Sequence, residues 1–327
     1  MRHTRLPALA ALLALACARS AAPADPAATL LGGERGLDHV GIGVRDLAAA
    51  RRTFEALGFG AAEEGKLPNG IANVNTYFED STYLELLTAW DAEKARWLAQ
   101  ATAAREGTVF LSLAVRSTEA TAAFLARRGI KTGPPIPGRI QTARDPDARE
   151  RWRTMFFEGA PLPASPLFFI AYAQPEREET LKKLEEARKS GRIYKHPNGA
   201  LGVKATWLAV PDLEAAARSF EAVGLPPGRA FEEPRLGARG RVVAAGEGSI
   251  LLVAPASPGG AVAALLRERG GPALLGLSVQ VARLGVAQRF VARATGRPAP
   301  PGPGALGTSA WAPPEAAHGA WLELFER

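Results

Sequence analysis

A chain of 327 residues with a single cysteine can hold no internal disulfide framework and no cysteine-based zinc cluster. It carries no Gly-x-Ser-x-Gly elbow, no P-loop and no dinucleotide fingerprint set between a strand and a helix, so motif-bearing serine hydrolases and nucleotide enzymes are not indicated. A formal charge of +7 raises the question of nucleic acid. The basic residues are scattered among acids, as between Glu176 and Lys195, with no aromatic residues interleaved along a basic stripe. A solvated surface is the reading, and no nucleic-acid partner is expected. What is present is ordinary: 47% hydrophobic and 22% charged residues, enough apolar material for a real core and against wholesale disorder.

The start of the chain reads as an export signal. Met1 to Arg5 is basic, and Leu6 to Ala16 is an apolar run of Leu and Ala. Such a run rises only ~16 Å as a helix, too short for a ~30 Å hydrocarbon core. A basic start, a short apolar stretch and small residues after it make a secretory signal. The sole cysteine, Cys17, ends Leu13-Ala14-Leu15-Ala16-Cys17, which resembles a bacterial lipobox. A lipoprotein of the cell envelope, attached to the membrane only through lipid on Cys17, is the expectation. Plain secretion with Cys17 discarded is the alternative. Loss of residues 1–16 removes Arg2 and Arg5, and the charge falls to about +5. Residues 17–35 then read as a tether.

Self-comparison organises the rest. Leu37-Asp38-His39-Val40-Gly41-Ile42-Gly43-Val44 alternates like a strand, Asp46 is a helix N-cap, Phe54 lies on the apolar helix face, and Gly58 stops the helix. The same sentence returns at Val203 to Val210 with Asp212, Phe220 and Gly224. Fainter copies run from Phe110 through Ser117 and Phe124 to Gly129, and from Leu275 through Phe290 to Gly296. Short strand-like runs follow each copy, among them Ala72 to Phe78 with Tyr83 to Leu87, and Arg241 to Ala245 with Ser249 to Val253. Each unit is therefore βαβββ. The charged helix Glu176 to Arg188 reads as the connector between two pairs.

Paired βαβββ units resemble the vicinal oxygen chelate superfamily, and within it the glyoxalase-like domain family of bacterial proteins. The residues that carry the likeness are Leu37-Asp38-His39-Val40, Gly70-Ile71-Ala72-Asn73-Val74-Asn75, Tyr83-Leu84-Glu85-Leu86, Pro166-Leu167-Phe168-Phe169-Ile170 and His196-Pro197-Asn198-Gly199-Ala200. The resemblance implies an α+β fold of four βαβββ units paired into two tandem barrels. The first is expected over residues 36–175, a helical connector over 176–200, and a second, degenerate barrel over 201–327.

In this superfamily a cupped sheet holds a divalent metal through ligands on the first and last strand of each unit. His39 and Glu85 occupy these places in the first unit, and the resemblance implies one Zn, Fe, Ni or Mn ion there. Glu85 would also serve catalysis in a metal-assisted lyase, isomerase or dioxygenase. The second unit departs from the pattern, with Phe110 opposite His39 in the repeat and Ile170 or Ala171 opposite Glu85. His196 is the candidate for a third ligand. Without metal, His39 lines the cup hydrogen-bonded to Glu85 around an organic ligand, or is a plain core histidine. Asn73, Asn75 and Tyr77 share one face of a strand, with Thr82 and Tyr83 near its rim, and offer donors and acceptors to a small polar molecule. In the second barrel only Glu323 matches a ligand position, and a surface role for it is an equal reading. The alternatives to an enzyme are a ligand-sequestering protein and an envelope interaction protein. Substrate and oligomeric state are not legible.

Overall fold

The computed structural model describes residues 28–62, 64–139, 150–164, 167–173 and 195–327, with isolated helical positions at Glu178, Lys182, Glu185 and Glu186. The expected export signal, Cys17, Pro166 and most of the connector lie outside the described residues.

Four units repeat one element order. The first is β1 (Gly36–Gly43), α1 (Leu47–Ala56), β2 (Gly65–Lys66), β3 (Ile71–Tyr77) and β4 (Tyr83–Ala89). After α2 (Arg96–Ala104) come β5 (Gly107–Ala114), α3 (Thr118–Ala126), β6 (Ile136–Arg139), β7 (Glu150–Phe156) and β8 (Leu167–Tyr172). The third is β9 (Ala200–Ala209), α4 (Leu213–Ala222), β10 (Pro227–Glu233), β11 (Ala238–Ala245) and β12 (Gly248–Pro255). After α5 (Ala261–Arg269) the last is β13 (Ala273–Val281), α6 (Leu284–Thr295), β14 (Gly302–Pro303), β15 (Thr308–Ala312) and β16 (Trp321–Glu326).

The repeated helices start and stop for the reasons visible in the sequence. Asp46 accepts from the Ala49 amide at 2.8 Å, Ser117 from Ala120 at 3.3 Å and Asp212 from Ala215 at 2.9 Å. The fourth helix lacks its own cap, and Glu326 of β16 takes the Leu284 amide instead, at 2.7 Å. The four stop glycines, 58, 129, 224 and 296, all have positive φ. Two of them also admit an aromatic ring from the other barrel: a Cβ on Gly58 would lie 2.8 Å from Phe290, and one on Gly224 would lie 2.6 Å from Phe124. Helices α2 and α5, which link units within each pair, have no sequence expectation. Their N-caps, Ala95 and Gly260, make no side-chain cap bond, so the start signal is absent.

The strands form two curled eight-stranded sheets of identical order, β2-β3-β4-β1-β5-β8-β7-β6 and β10-β11-β12-β9-β13-β16-β15-β14. In each, the opening strands of the two units pair antiparallel at the centre, and each opening strand is flanked by the parallel last strand of its own unit. Alternation sends Val40, Ile42, Val74, Leu84 and Leu86 to the helix-covered face, into one continuous core shared with Leu208, Phe220, Leu252 and Val279 of the second barrel. The inner faces carry separate, smaller clusters. The end of the expected tether is part of the fold: Leu30 is buried, its carbonyl accepts from Thr121 at 2.8 Å, and the Arg116 amide reaches Leu31 O at 3.1 Å. Among the described residues, no helix is long and apolar enough to cross a membrane.

Candidate functional site

The centre of the first sheet brings the predicted residues together. Residues 39 and 41 of β1, 83, 85 and 87 of β4, and 73, 75 and 77 of β3 share the inner face because strand side chains alternate. Registers place Tyr83 beside His39, Glu85 beside Gly41, and Asn75 beside Glu85. Asn73 Nδ2 donates to Glu85 Oε1 at 2.6 Å, and Asn75 Nδ2 donates to the Tyr77 hydroxyl at 2.9 Å. Tyr83 stacks on the His39 ring with centroids 4.2 Å apart and planes inclined by 11°. Thr82 is the exception. Its hydroxyl donates to Asp80 at 2.6 Å and accepts from the Val203 amide of the second barrel at 2.8 Å, so it faces away from the cup.

His39 is oriented by a neighbour the sequence reading left out. Leu37 pairs with Leu113 and His39 with Ser112, so Asp38 is an extra residue opposite β5. Such a bulge re-aims the side chains around it, and Asp38 Oδ2 lies 2.8 Å from His39 Nδ1. The same oxygen accepts from the Tyr172 hydroxyl at 2.9 Å, and Oδ1 pairs with Arg35. Burial alone would raise the Asp38 carboxyl, but Arg35 and His39 outweigh it and hold it below the usual carboxylate range. An anionic acceptor at Nδ1 fixes the proton there and leaves the Nε2 lone pair free. Nε2 stands 3.7 Å from Glu85 Oε2. Burial pushes the Tyr83 and Tyr172 hydroxyls well above their ordinary value, and neutral phenols therefore line this wall.

Two donors 3.7 Å apart can share one divalent ion at ~2.1 Å bonds, and an aspartate on the far nitrogen is the usual support of a metal-bound imidazole. The fit stops at two ligands. Among the described residues, no three His, Cys, Asp or Glu side chains are arranged to hold an ion together. The opposite wall is aromatic: Phe110 and Phe168 stand edge-on to His39 at 5.4 and 5.6 Å, and half-exposed Phe156 tilts against Phe168 at 5.2 Å. Register corrects one assignment here. Ser112 pairs with Phe168, as Gly41 pairs with Glu85, so Phe168 occupies the place equivalent to Glu85. Ile170 and Ala171 lie two and three residues further along β8; Ile170, beside Ala114, is buried.

His196 is not available as a third ligand. Its Nδ1 accepts from the Gly60 amide at 2.9 Å, its Nε2 donates to Tyr77 O at 3.0 Å, and its ring packs on Phe59 and Phe78 of the main core. Burial lowers its pKa, in keeping with a neutral structural ring.

The second barrel's equivalent place is closed. Trp207, Trp311, Trp321 and Phe231 pack together with Leu251 and Leu275 on its inner face. Glu323 is completely buried rather than at the surface, in the chain Trp207 Nε1 to Ser278 Oγ (2.7 Å) to Glu323 Oε2 (2.5 Å). Burial raises its carboxyl to about 7, only partly offset by the Ser278 and Ser309 hydroxyls. An open groove of about 730 Å³ lies at the β10 edge of this barrel, between the start of α4 and strands β10 and β11, lined among others by Glu214, Phe231, Arg239 and Arg241. Its Arg241–Glu214 pair is partly solvent-exposed. The polar convergence is in the first cup.

Residues 37–224, more than half of the chain, match the family model described as a glyoxalase-like domain. No curated protein sequence matches the chain. A hypothetical protein from Staphylococcus aureus superposes with a TM-score of 0.58 at 13% identity, over 89% of this chain and 98% of that one. A triple mutant of 4-hydroxymandelate synthase from Streptomyces coelicolor superposes with a TM-score of 0.59 at 14% identity, over 90% and 93% of the two chains. At such identities the likeness is one of fold.

Proposed function

The chain belongs to the glyoxalase-like domain family of the vicinal oxygen chelate superfamily, and from that premise we propose that its first barrel binds one small organic molecule at His39 and Glu85. The observation that carries this reading is the contrast between the two cups. One is packed shut with tryptophan, and the other keeps His39, held by Asp38, with its Nε2 3.7 Å from Glu85 among partly exposed Asn73, Asn75, Tyr77 and Tyr83. Three acceptors at its centre have no hydrogen-bond donor: His39 Nε2, Glu85 Oε2, and Asn75 Oδ1, which is buried without a partner. They suit a ligand that presents hydroxyl or amine groups, while Phe110, Phe168 and Phe156 suit its flat apolar body.

His39 and Glu85 would be the protein's two ligands to a divalent ion, which when bound would polarise an oxygen of the ligand. Glu85 and the Nε2 lone pair can also take a proton without it. Lyase, isomerase or dioxygenase chemistry needs the remaining coordination positions filled by the substrate and water. The phenylalanines at the two other ligand places favour sequestration over such turnover.

Calorimetric titration of the mature chain with Zn²⁺ separates the two. Stoichiometric binding that disappears in His39→Ala and in Glu85→Ala supports the metal-assisted reading; no binding in the wild type removes it and leaves ligand binding alone. We further propose export, with Cys17 as the lipid anchor. Palmitate incorporation that survives Cys17→Ser would exclude that residue.

A further inference from the structure

The second barrel has no open cup of its own, yet it makes polar contacts to the first barrel that end at His39. The bulge of β1 recurs in β9: Val203 pairs with Val279 and Ala205 with Ser278, so Lys204 is the extra residue, in the place of Asp38. Lys204 reaches into the first barrel, and its ammonium lies 2.6 Å from the Asp80 carboxylate in the β3–β4 turn. The turn is fixed further by Asp80 Oδ1, which accepts from the Thr82 amide at 3.0 Å, and by the Val203 amide on the Thr82 hydroxyl. The Asp80 carbonyl in turn accepts from Arg35 Nη1 at 3.0 Å, and Arg35 Nη2 pairs with Asp38.

Arg35 is held at its backbone as well. Its carbonyl accepts from the Glu247 amide at 2.7 Å, and Gly36 bridges Gly246 in the turn between β11 and β12. Both glycines have positive φ, +82° and +69°, and a methyl group on either would collide with the facing backbone carbonyl. Asp38 itself is wholly buried, and its direction is set by the groups it bonds, Arg35, Tyr172 and His39.

We propose that the second barrel is a positioning device for the first: through Lys204–Asp80 and the Gly246 turn it keeps Arg35 on Asp38, and so holds the His39 ring with Nε2 toward Glu85. Lys204 and Arg35 are positioning residues. A site ordered by a supporting layer binds better because less freedom is lost on binding. The purpose of this brace rests on the cup being a binding site, but the ordering of the ring can be measured with no ligand present.

The test is NMR of the mature chain carrying ¹⁵N-labelled histidine. His39 is expected as a single Nδ1–H tautomer whose ring proton exchanges slowly. His196, hydrogen-bonded through Nε2, reports the opposite tautomer and serves as the internal control. In Lys204→Met the His39 ring proton is expected to exchange at least about tenfold faster, with His196 unchanged and Lys204→Arg restoring the wild-type signal. Arg35→Met should exceed that effect. A Lys204→Met chain with a wild-type His39 signal overturns the proposal, and so does one in which His39 and His196 loosen together. If His39 responds to Lys204 but the cup takes no ligand, the binding reading fails and the positioning role stands.

Discussion

Replacing Glu323 by glutamine should stabilise the protein in alkaline solution and leave it nearly unchanged in acid. The carboxyl is fully buried, and burial raises its pKa from 4.5 to about 7. Because the folded-state value lies above the unfolded one, the native state binds the proton more tightly. The contribution of this group to stability is therefore fully present below pH 4.5, declines as pH rises from there, and is lost above pH 7. At about 1.36 kcal/mol per pH unit, the gap corresponds to about 3 kcal/mol. The amide is uncharged at every pH and retains an oxygen to accept from Ser278. Urea unfolding of wild type and Glu323→Gln from pH 4 to pH 9 gives the comparison. The expected difference is under about 1 kcal/mol at pH 4 and near 3 kcal/mol in favour of the variant at pH 8.5. A difference that does not change with pH would refute the buried-carboxyl argument.

Three further outcomes follow from the same geometry. Asp38→Ala leaves Arg35 without its buried partner and should cost about 3–5 kcal/mol in urea unfolding, far more than Glu85→Gln; a cost below 1 kcal/mol would contradict the network. The double substitution Phe110→His with Phe168→Glu supplies the two missing ligand places, so Zn²⁺ affinity by calorimetry should rise by about two orders of magnitude or more. No gain would show the register equivalence to be chemically empty. Scanning calorimetry should give one cooperative transition, because a single core joins the outer faces of both barrels; two resolved transitions would divide what the packing unites.

How much of this was legible in the sequence depended on how local each signal was. The βαβββ repeat could be read because cap, periodic helix face and stop glycine lie within fifteen residues of each other, and the structure shows all four copies. Asn73, Asn75, Tyr77, Tyr83 and Glu85 could be grouped because alternation along a strand is a local rule. The repeat puts Ile170 or Ala171 in the Glu85 place where the structure has Phe168, because the register of β8 against β5 is set by long-range pairing across a segment of irregular length. Asp38 was missed for a related reason: strict alternation sends it to the core, and only an unpaired residue in β1 turns it to His39. The partnership of Lys204 and Asp80, 124 residues apart, leaves no pattern in the sequence. His196 looked like a ligand by residue type alone, and its two backbone hydrogen bonds are invisible until the chain is folded.

The central claim is that a ligand enters the first cup at His39 and Glu85. Chemical-shift mapping of the mature chain, titrated with a panel of small aryl alcohols and amines, tests it most directly. Binders should perturb a single connected patch around His39, Asn75, Tyr83, Glu85 and Phe168, and the patch should vanish in Glu85→Ala. Perturbations gathered in the groove beside Arg239 and Arg241, with His39 unmoved, would contradict it.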